Sequence, residues 1–167
     1  MKANTVLALD LDETLVSSRA SPDTLGALRY ENYWIAPRPG LRKFLKYVDR
    51  KFHIVICTAA ARNYAHFVVE VFIRPHIEIA NDVIFSREFC DQSIGPKVHK
   101  NIALLADLLK KPRDNILILD NLNKVIRENK KKGIVIKSWY ADHPGAQSDR
   151  YLYEMQGYMS QEIFGSQ

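Results

Sequence analysis

Val6-Leu7-Ala8-Leu9-Asp10-Leu11-Asp12-Glu13-Thr14-Leu15 decides how this chain is read. A short apolar run, Val6 to Leu9, stops at two acids spaced two residues apart. So continuous a run reads as a strand buried on both faces, not as a half-exposed one. Four more runs follow: His53-Ile54-Val55-Ile56-Cys57, Val83-Ile84-Phe85, Ile116-Leu117-Ile118-Leu119 and Ile134-Val135-Ile136. Helical spacings lie between them. Leu41, Phe44, Leu45 and Val48 follow Pro39-Gly40; Tyr64, Phe67, Val68, Val71 and Phe72 form a second set; Ile102, Leu105 and Leu109 form a third, stopped near Pro112. A last helix is expected over Tyr151 to Tyr158 or beyond. Buried strands alternating with helices imply parallel pairing and right-handed crossovers, hence a three-layer, Rossmann-like α/β fold with a central parallel sheet. Ligands of such sheets bind beyond the carboxyl ends of the strands. Asp10, Thr58 and Asp120 each stand at the end of a separate run, so the fold would gather them on one edge.

The 167 residues, 47% apolar and 26% charged, suit one packed domain. A core over residues 1–145 is expected, with 146–167 a C-terminal helix or tail leading toward a further region. No run is long and apolar enough to span a bilayer, no signal-like segment opens the chain, and two cysteines make no disulfide framework. An intracellular protein with a monomeric core is the simple expectation; its compartment and any membrane contact stay open. The formal charge of +5 is scattered. It forms no Lys/Arg stripe of the kind nucleic acid requires, and it suits an acidic partner.

Two carboxylates two residues apart in a loop after a strand can divide labour. One can attack phosphorus while holding a divalent cation; the other can protonate the leaving oxygen and later deprotonate water. A hard cation such as Mg²⁺ takes oxygen ligands and neutralises phosphate charge. Asp10-Leu11-Asp12-Glu13-Thr14-Leu15 resembles the first motif of the haloacid dehalogenase superfamily, in detail the branch of RNA polymerase II C-terminal-domain phosphatases. Further segments resemble that branch in order: Ile56-Cys57-Thr58-Ala59-Ala60, Asn63-Tyr64-Ala65, Ile84-Phe85-Ser86-Arg87-Glu88-Phe89-Cys90, Ile116-Leu117-Ile118-Leu119-Asp120-Asn121 and Ser138-Trp139-Tyr140-Ala141-Asp142.

The resemblance implies specific roles. Asp10 is the nucleophile that forms an aspartyl-phosphate, and Asp12 is the general acid/base. Asp10, Asp12 through its carbonyl, Asn121 and Asp120 surround Mg²⁺. Thr58 and Ala59 hold phosphate oxygens together with a lysine, either Lys100 or Lys97. The apolar residues two and five positions on, Ile102 and Leu105, match the family pattern from Lys100, which is favoured. Thr14 supports the first loop. Arg87 approaches phosphate or makes an ordinary surface ion pair. The stretch from Lys100 to Asp120 looks long for this branch, with Lys110 to Asp114 as the insertion.

About two dozen residues separate Thr14 from Pro39, too few for an independent cap domain and enough for a short β-hairpin flap over Val16 to Ala36. An uncapped site is open to a phosphorylated protein or peptide. The implied activity is that of a phosphoprotein phosphatase, phosphoserine or phosphothreonine by family default. Phosphotyrosine hydrolysis on the same fold is one alternative, and Tyr30, Tyr33 and Trp34 are either flap packing or a platform for an aromatic substrate. A non-catalytic peptide-binding module is the other.

Overall fold

A computed structural model describes residues 4–91, 100–130 and 132–162. Five strands form a parallel sheet: β1 (Val6–Leu9), β5 (His53–Cys57), β6 (Ile84–Phe85), β7 (Ile116–Asp120) and β8 (Gly133–Val135), in the order β6-β5-β1-β7-β8. Three more strands, β2 (Val16–Ala20), β3 (Leu28–Tyr30) and β4 (Tyr33–Pro37), form an antiparallel sheet of order β2-β4-β3 inserted after β1. The insert is therefore three-stranded where a hairpin was expected. Left-handed Gly26 (φ 74°) and Glu31 (φ 49°) reverse the chain on either side of β3.

β1 is central because all four of its residues are buried. Its side chains alternate between two cores, as strand geometry requires. Leu7 and Leu9 join Ile54, Ile56 and Leu119 on one face. Val6 and Ala8 join Val55, Cys57, Ile116 and Ile118 on the other. The first face is covered by α1 (Leu41–Lys51), α2 (Arg62–Val68) and α6 (Tyr151–Glu162). The second is covered by α3 (Arg87–Asp91), α4 (Ile102–Leu109) and α5 (Asn123–Glu128). The three-layer expectation is borne out. α3 and α5 are the helices that periodicity missed, because they are only 5 and 6 residues long and bury just Phe89 and the pair Val125 and Ile126. The strand expected over Ile134–Ile136 sits one residue earlier. The stretch after α4 is compact: left-handed Lys110 caps the helix and a 3₁₀ turn, Arg113–Asn115, leads into β7.

Parallel register sets the functional edge. Leu9 lies beside Ile56 and beside Leu119, so the chain leaves β1, β5 and β7 at one level. Just past that level Glu13 adopts φ 61° and turns the first loop back, with Trp139 N–H donating to its carbonyl at 2.9 Å. At the start of α1, Gly40 (φ 87°) is required twice over, since a Cβ there would come 2.7 Å from the Tyr153 ring of α6.

A buried ion pair ties the two ends of this layer together. Arg38, 1% exposed, donates from Nε and Nη2 to the two carboxylate oxygens of Asp149 at 2.8 and 3.0 Å. Its Nη1 donates to the Thr14 carbonyl at 3.1 Å, bracing the first loop. Two parallel N–H···O bonds are the strong geometry for this pair. Asp149→Ala should cost about 3–5 kcal/mol, because Arg38 stays buried without a counter-charge, whereas Arg38→Met with Asp149→Leu should recover much of that. Urea unfolding of both variants checks this; a loss under about 1 kcal/mol in the single variant contradicts the account.

Candidate active site

The three strand ends deliver Asp10, Thr58 and Asp120 to one rim, where a cavity of about 490 Å³ opens. Asp10, Asp12, Glu13, Thr58, Ala59, Lys100 and Asn121 line it, together with Arg87, Tyr33, Tyr64 and Leu122. Asp10 is 5% exposed and Lys100 4%. The Lys100 ammonium lies 2.5 Å from Asp10 Oδ1 and 2.5 Å from Asp120 Oδ2, so one cation bridges two carboxylates. Burial works against the lysine charge, but Asp10 and Asp120 outweigh it and hold the ammonium above its ordinary pKa. Burial and the Asp10 charge raise Asp120, against the pull of Lys100.

Lys100 is aimed by its backbone. It takes φ 57°, uncommon for a residue with a side chain. Asn129, 1% exposed, holds that turn: its Nδ2 donates to the Lys100 carbonyl at 3.0 Å and its Oδ1 accepts from Ile102 N–H at 2.9 Å. Asn101 caps α4 by accepting from Ala103 N–H at 2.9 Å. Lys97, the other lysine candidate, lies outside the described residues.

The second oxygen of Asp10 accepts from the Thr14 hydroxyl at 2.7 Å. That hydroxyl also lies 3.3 Å from Asn121 Oδ1, so the first loop and the end of β7 meet. The Asn121 amide nitrogen donates to Ser138 Oγ at 2.9 Å and to Glu13 Oε2 at 3.4 Å. With its nitrogen engaged there, the amide turns its oxygen toward the Thr14 hydroxyl that also reaches Asp10. Asp120 is spent differently: besides Lys100, its Oδ1 accepts from Leu122 N–H at 2.8 Å.

Asp12 is pushed up to about 6. Burial is the main cause; a hydrogen bond from Tyr64 opposes it, and the Asp10 and Glu13 charges add to it. Thr58 is held by its N–H donating to the Phe85 carbonyl at 2.9 Å, and its Oγ1 accepts from Ala60 N–H at 3.2 Å. Arg87 donates from Nε to the Ala59 carbonyl at 3.2 Å, which braces the Thr58 loop. Arg87 also lines the cavity.

Among the described residues no three His, Cys, Asp or Glu side chains are grouped as ligands of one metal. The fit of a cation rests on a mixed oxygen set instead. The Asp10 carboxylate and the Asn121 amide oxygen flank one hydroxyl. Among the described residues four carboxylates (Asp10, Asp12, Glu13 and Asp120) stand at this rim against two cations, Lys100 between Asp10 and Asp120 and Arg87 in the cavity wall, an excess of negative charge. Each carboxylate oxygen retains a lone pair beyond the bond it accepts. All-oxygen donors and surplus negative charge suit a small hard cation.

Three supports escaped the sequence reading. Nothing local in the chain marks Asn129, while Ser138 opens a segment that resembles the family, yet its contact with Asn121 cannot be read from that segment. Tyr64 had a helical-spacing signal that placed its ring in the core, and the ring is there, but its hydroxyl reaches Asp12.

A model of NLI interacting factor-like phosphatases matches residues 5–165. A CTD phosphatase-like protein of Invertebrate iridescent virus 3 is 25% identical over 172 residues, covering 90% of this chain and 92% of its own. Among solved structures, Fcp1, an essential RNA polymerase II CTD phosphatase, superposes with a TM-score of 0.59 at 16% identity. The match covers 93% of this chain and 49% of the Fcp1 chain, so the present chain spans about half of that protein. A HAD family hydrolase from Deinococcus radiodurans R1 gives a TM-score of 0.59 at 12% identity, covering 95% of both chains. The structures share the fold, and the match along nearly the whole sequence carries the kinship: this chain belongs to the NLI interacting factor-like phosphatase family.

Proposed function

We propose that this chain is a Mg²⁺-dependent phosphoprotein phosphatase that works through an aspartyl-phosphate on Asp10. The observation that carries the reading is the Asp10 carboxylate on the floor of an open cavity, its two oxygens oriented by Lys100 and Thr14. A carboxylate so fixed cannot swing away from an incoming phosphorus, and fixed orientation is a large part of phosphoryl-transfer catalysis.

Asp10 attacks phosphorus in line as the bond to the leaving oxygen breaks, and Asp12 delivers its proton to that oxygen. Asp12 then takes a proton from water, whose oxygen displaces Asp10 and releases inorganic phosphate. A carboxyl held near 6 can do both, because it is protonated often enough to give and ionised often enough to take. Thr58 Oγ1, the Ala59 amide and the Lys100 ammonium receive the equatorial phosphate oxygens. The Asp10 carboxylate, the Asp12 main-chain carbonyl and Asn121 Oδ1 would hold Mg²⁺, which neutralises charge on the transferring group. Asp120 serves by holding Lys100.

The cavity is bounded by a three-stranded flap, not a cap domain, and this openness supports a phosphorylated protein or peptide as substrate. Phosphoserine or phosphothreonine is the proposed target. Tyr33 and Tyr64 in the cavity wall favour a second reading, phosphotyrosine, since aromatic walls suit an aromatic leaving group.

Asp10→Asn should lower turnover of phosphopeptides and of p-nitrophenyl phosphate by at least about 1,000-fold, and EDTA should abolish it until Mg²⁺ is restored. Robust turnover by Asp10→Asn would reject the mechanism. Lys100→Met should lower kcat by about 100- to 1,000-fold. Matched phosphoserine, phosphothreonine and phosphotyrosine peptides, compared by kcat/KM, decide the target. Cys57 is buried and its thiol is held well above the ordinary value, chiefly by that burial. It should resist N-ethylmaleimide in the folded chain and react once the chain is unfolded, as intact mass will report; a folded-state adduct on Cys57 that abolishes activity would point to thiol chemistry instead.

A further inference from the structure

Among the described residues, Tyr64 hydrogen-bonds Asp12 directly, and the proposed reaction leaves it without a task. It lies on α2, and its hydroxyl donates to Asp12 Oδ1. Its ring is 7% exposed and is gripped from the flap. Tyr30 meets it edge-on, centroids 5.5 Å apart at 84°, and Tyr33 stands at 6.3 Å. Tyr30 in turn leans on Phe67, 4.7 Å away on the same helix. The phenol is thus fixed from two elements, α2 and the β3–β4 turn.

We propose that Tyr64 is a positioning residue for the general acid: its hydroxyl occupies Asp12 Oδ1 and leaves Oδ2 to carry the proton given to the leaving oxygen. This rests on the phosphatase reading above. A carboxylic acid has one proton and two oxygens, and either oxygen can bear it. An oxygen that already accepts from a fixed phenol is the wrong place for a second hydrogen. The bond also opposes repulsion from Asp10 and Glu13, which would otherwise turn Asp12 toward solvent. When Asp10 forms its bond to phosphorus and the ester P–O bond breaks, the electron pair of that bond goes to the leaving oxygen. The Oδ2 proton joins it there, leaving Asp12 as carboxylate. Water later returns a proton to Asp12 as its oxygen displaces Asp10 from phosphorus.

Such a role predicts dependence on the leaving group, which a merely structural role does not. Tyr64→Phe keeps the ring in its cluster and removes only the hydroxyl. p-Nitrophenol departs readily without protonation, phenol less so, and a serine alkoxide hardly at all. In Tyr64→Phe, kcat/KM for phenyl phosphate and for a phosphoserine peptide should fall about tenfold or more, while p-nitrophenyl phosphate stays within about threefold. Asp12→Asn should show the same selective loss, larger. Selective loss in both variants supports the proposal. An even loss across the substrates in Tyr64→Phe, or no loss, with selective loss retained in Asp12→Asn, overturns the role of Tyr64 and leaves that of Asp12 intact. Even losses in both variants overturn the assignment of Asp12 as well, and with it the inference.

Discussion

The Lys100 ammonium buried between Asp10 and Asp120 is the constraint around which the rest of the molecule is arranged. Taking three charges out of water costs several kcal/mol for each ion, and only close, well-aimed contacts offset it. Here the ammonium touches both carboxylates, the remaining oxygens accept from Thr14 and from a main-chain N–H, and Asn129 holds the lysine in its left-handed turn. Both walls of this arrangement are strand ends, so its precision derives from the parallel register of β1 and β7. Two carboxylates at one rim would repel each other; with the lysine between them they become an oriented acceptor and its brace.

That geometry has consequences further out. Among the described residues a net negative rim remains after Lys100 and Arg87 are counted, and it favours a hard cation, while burial first, and then the Asp10 and Glu13 charges, lift Asp12 into a range where it can give and take a proton. The flap completes the site without closing it. Its aromatic side chains reach α2 and, through Tyr64, the Asp12 carboxylate. Arg38 draws the C-terminal segment into the same unit by joining Asp149 to the Thr14 carbonyl. α6 continues that layer, with Leu152, Met155 and Met159 in the main core. Among the described residues no helix is long and apolar enough to cross a membrane.

Much of the site could be read in advance because it sits at strand ends. Asp10, Thr58 and Asp120 each follow an apolar run, and a parallel sheet leaves little choice but to align such ends. The lysine is less legible: the apolar spacing of α4 favours Lys100 over Lys97, and Lys100 does reach Asp10, but its reach depends on a backbone turn that no spacing reveals. The flap was seen as a hairpin because Leu28-Arg29-Tyr30 is too short and too exposed to stand out as a strand by itself. β4, paired on both sides, is what makes it one.

By itself the sequence determined the layers, the parallel sheet and the rim on which the acids stand, because hydrophobic periodicity and strand ends are local properties of the chain. Only the tertiary structure decided how those acids are used. Thr14 beside Asn121, Asn129 under Lys100, Ser138 turning an amide and Tyr64 on Asp12 are contacts between segments far apart in the chain. A hydrogen bond across such a distance exists only once packing has brought both partners to the same place and withdrawn the water that would have served either of them.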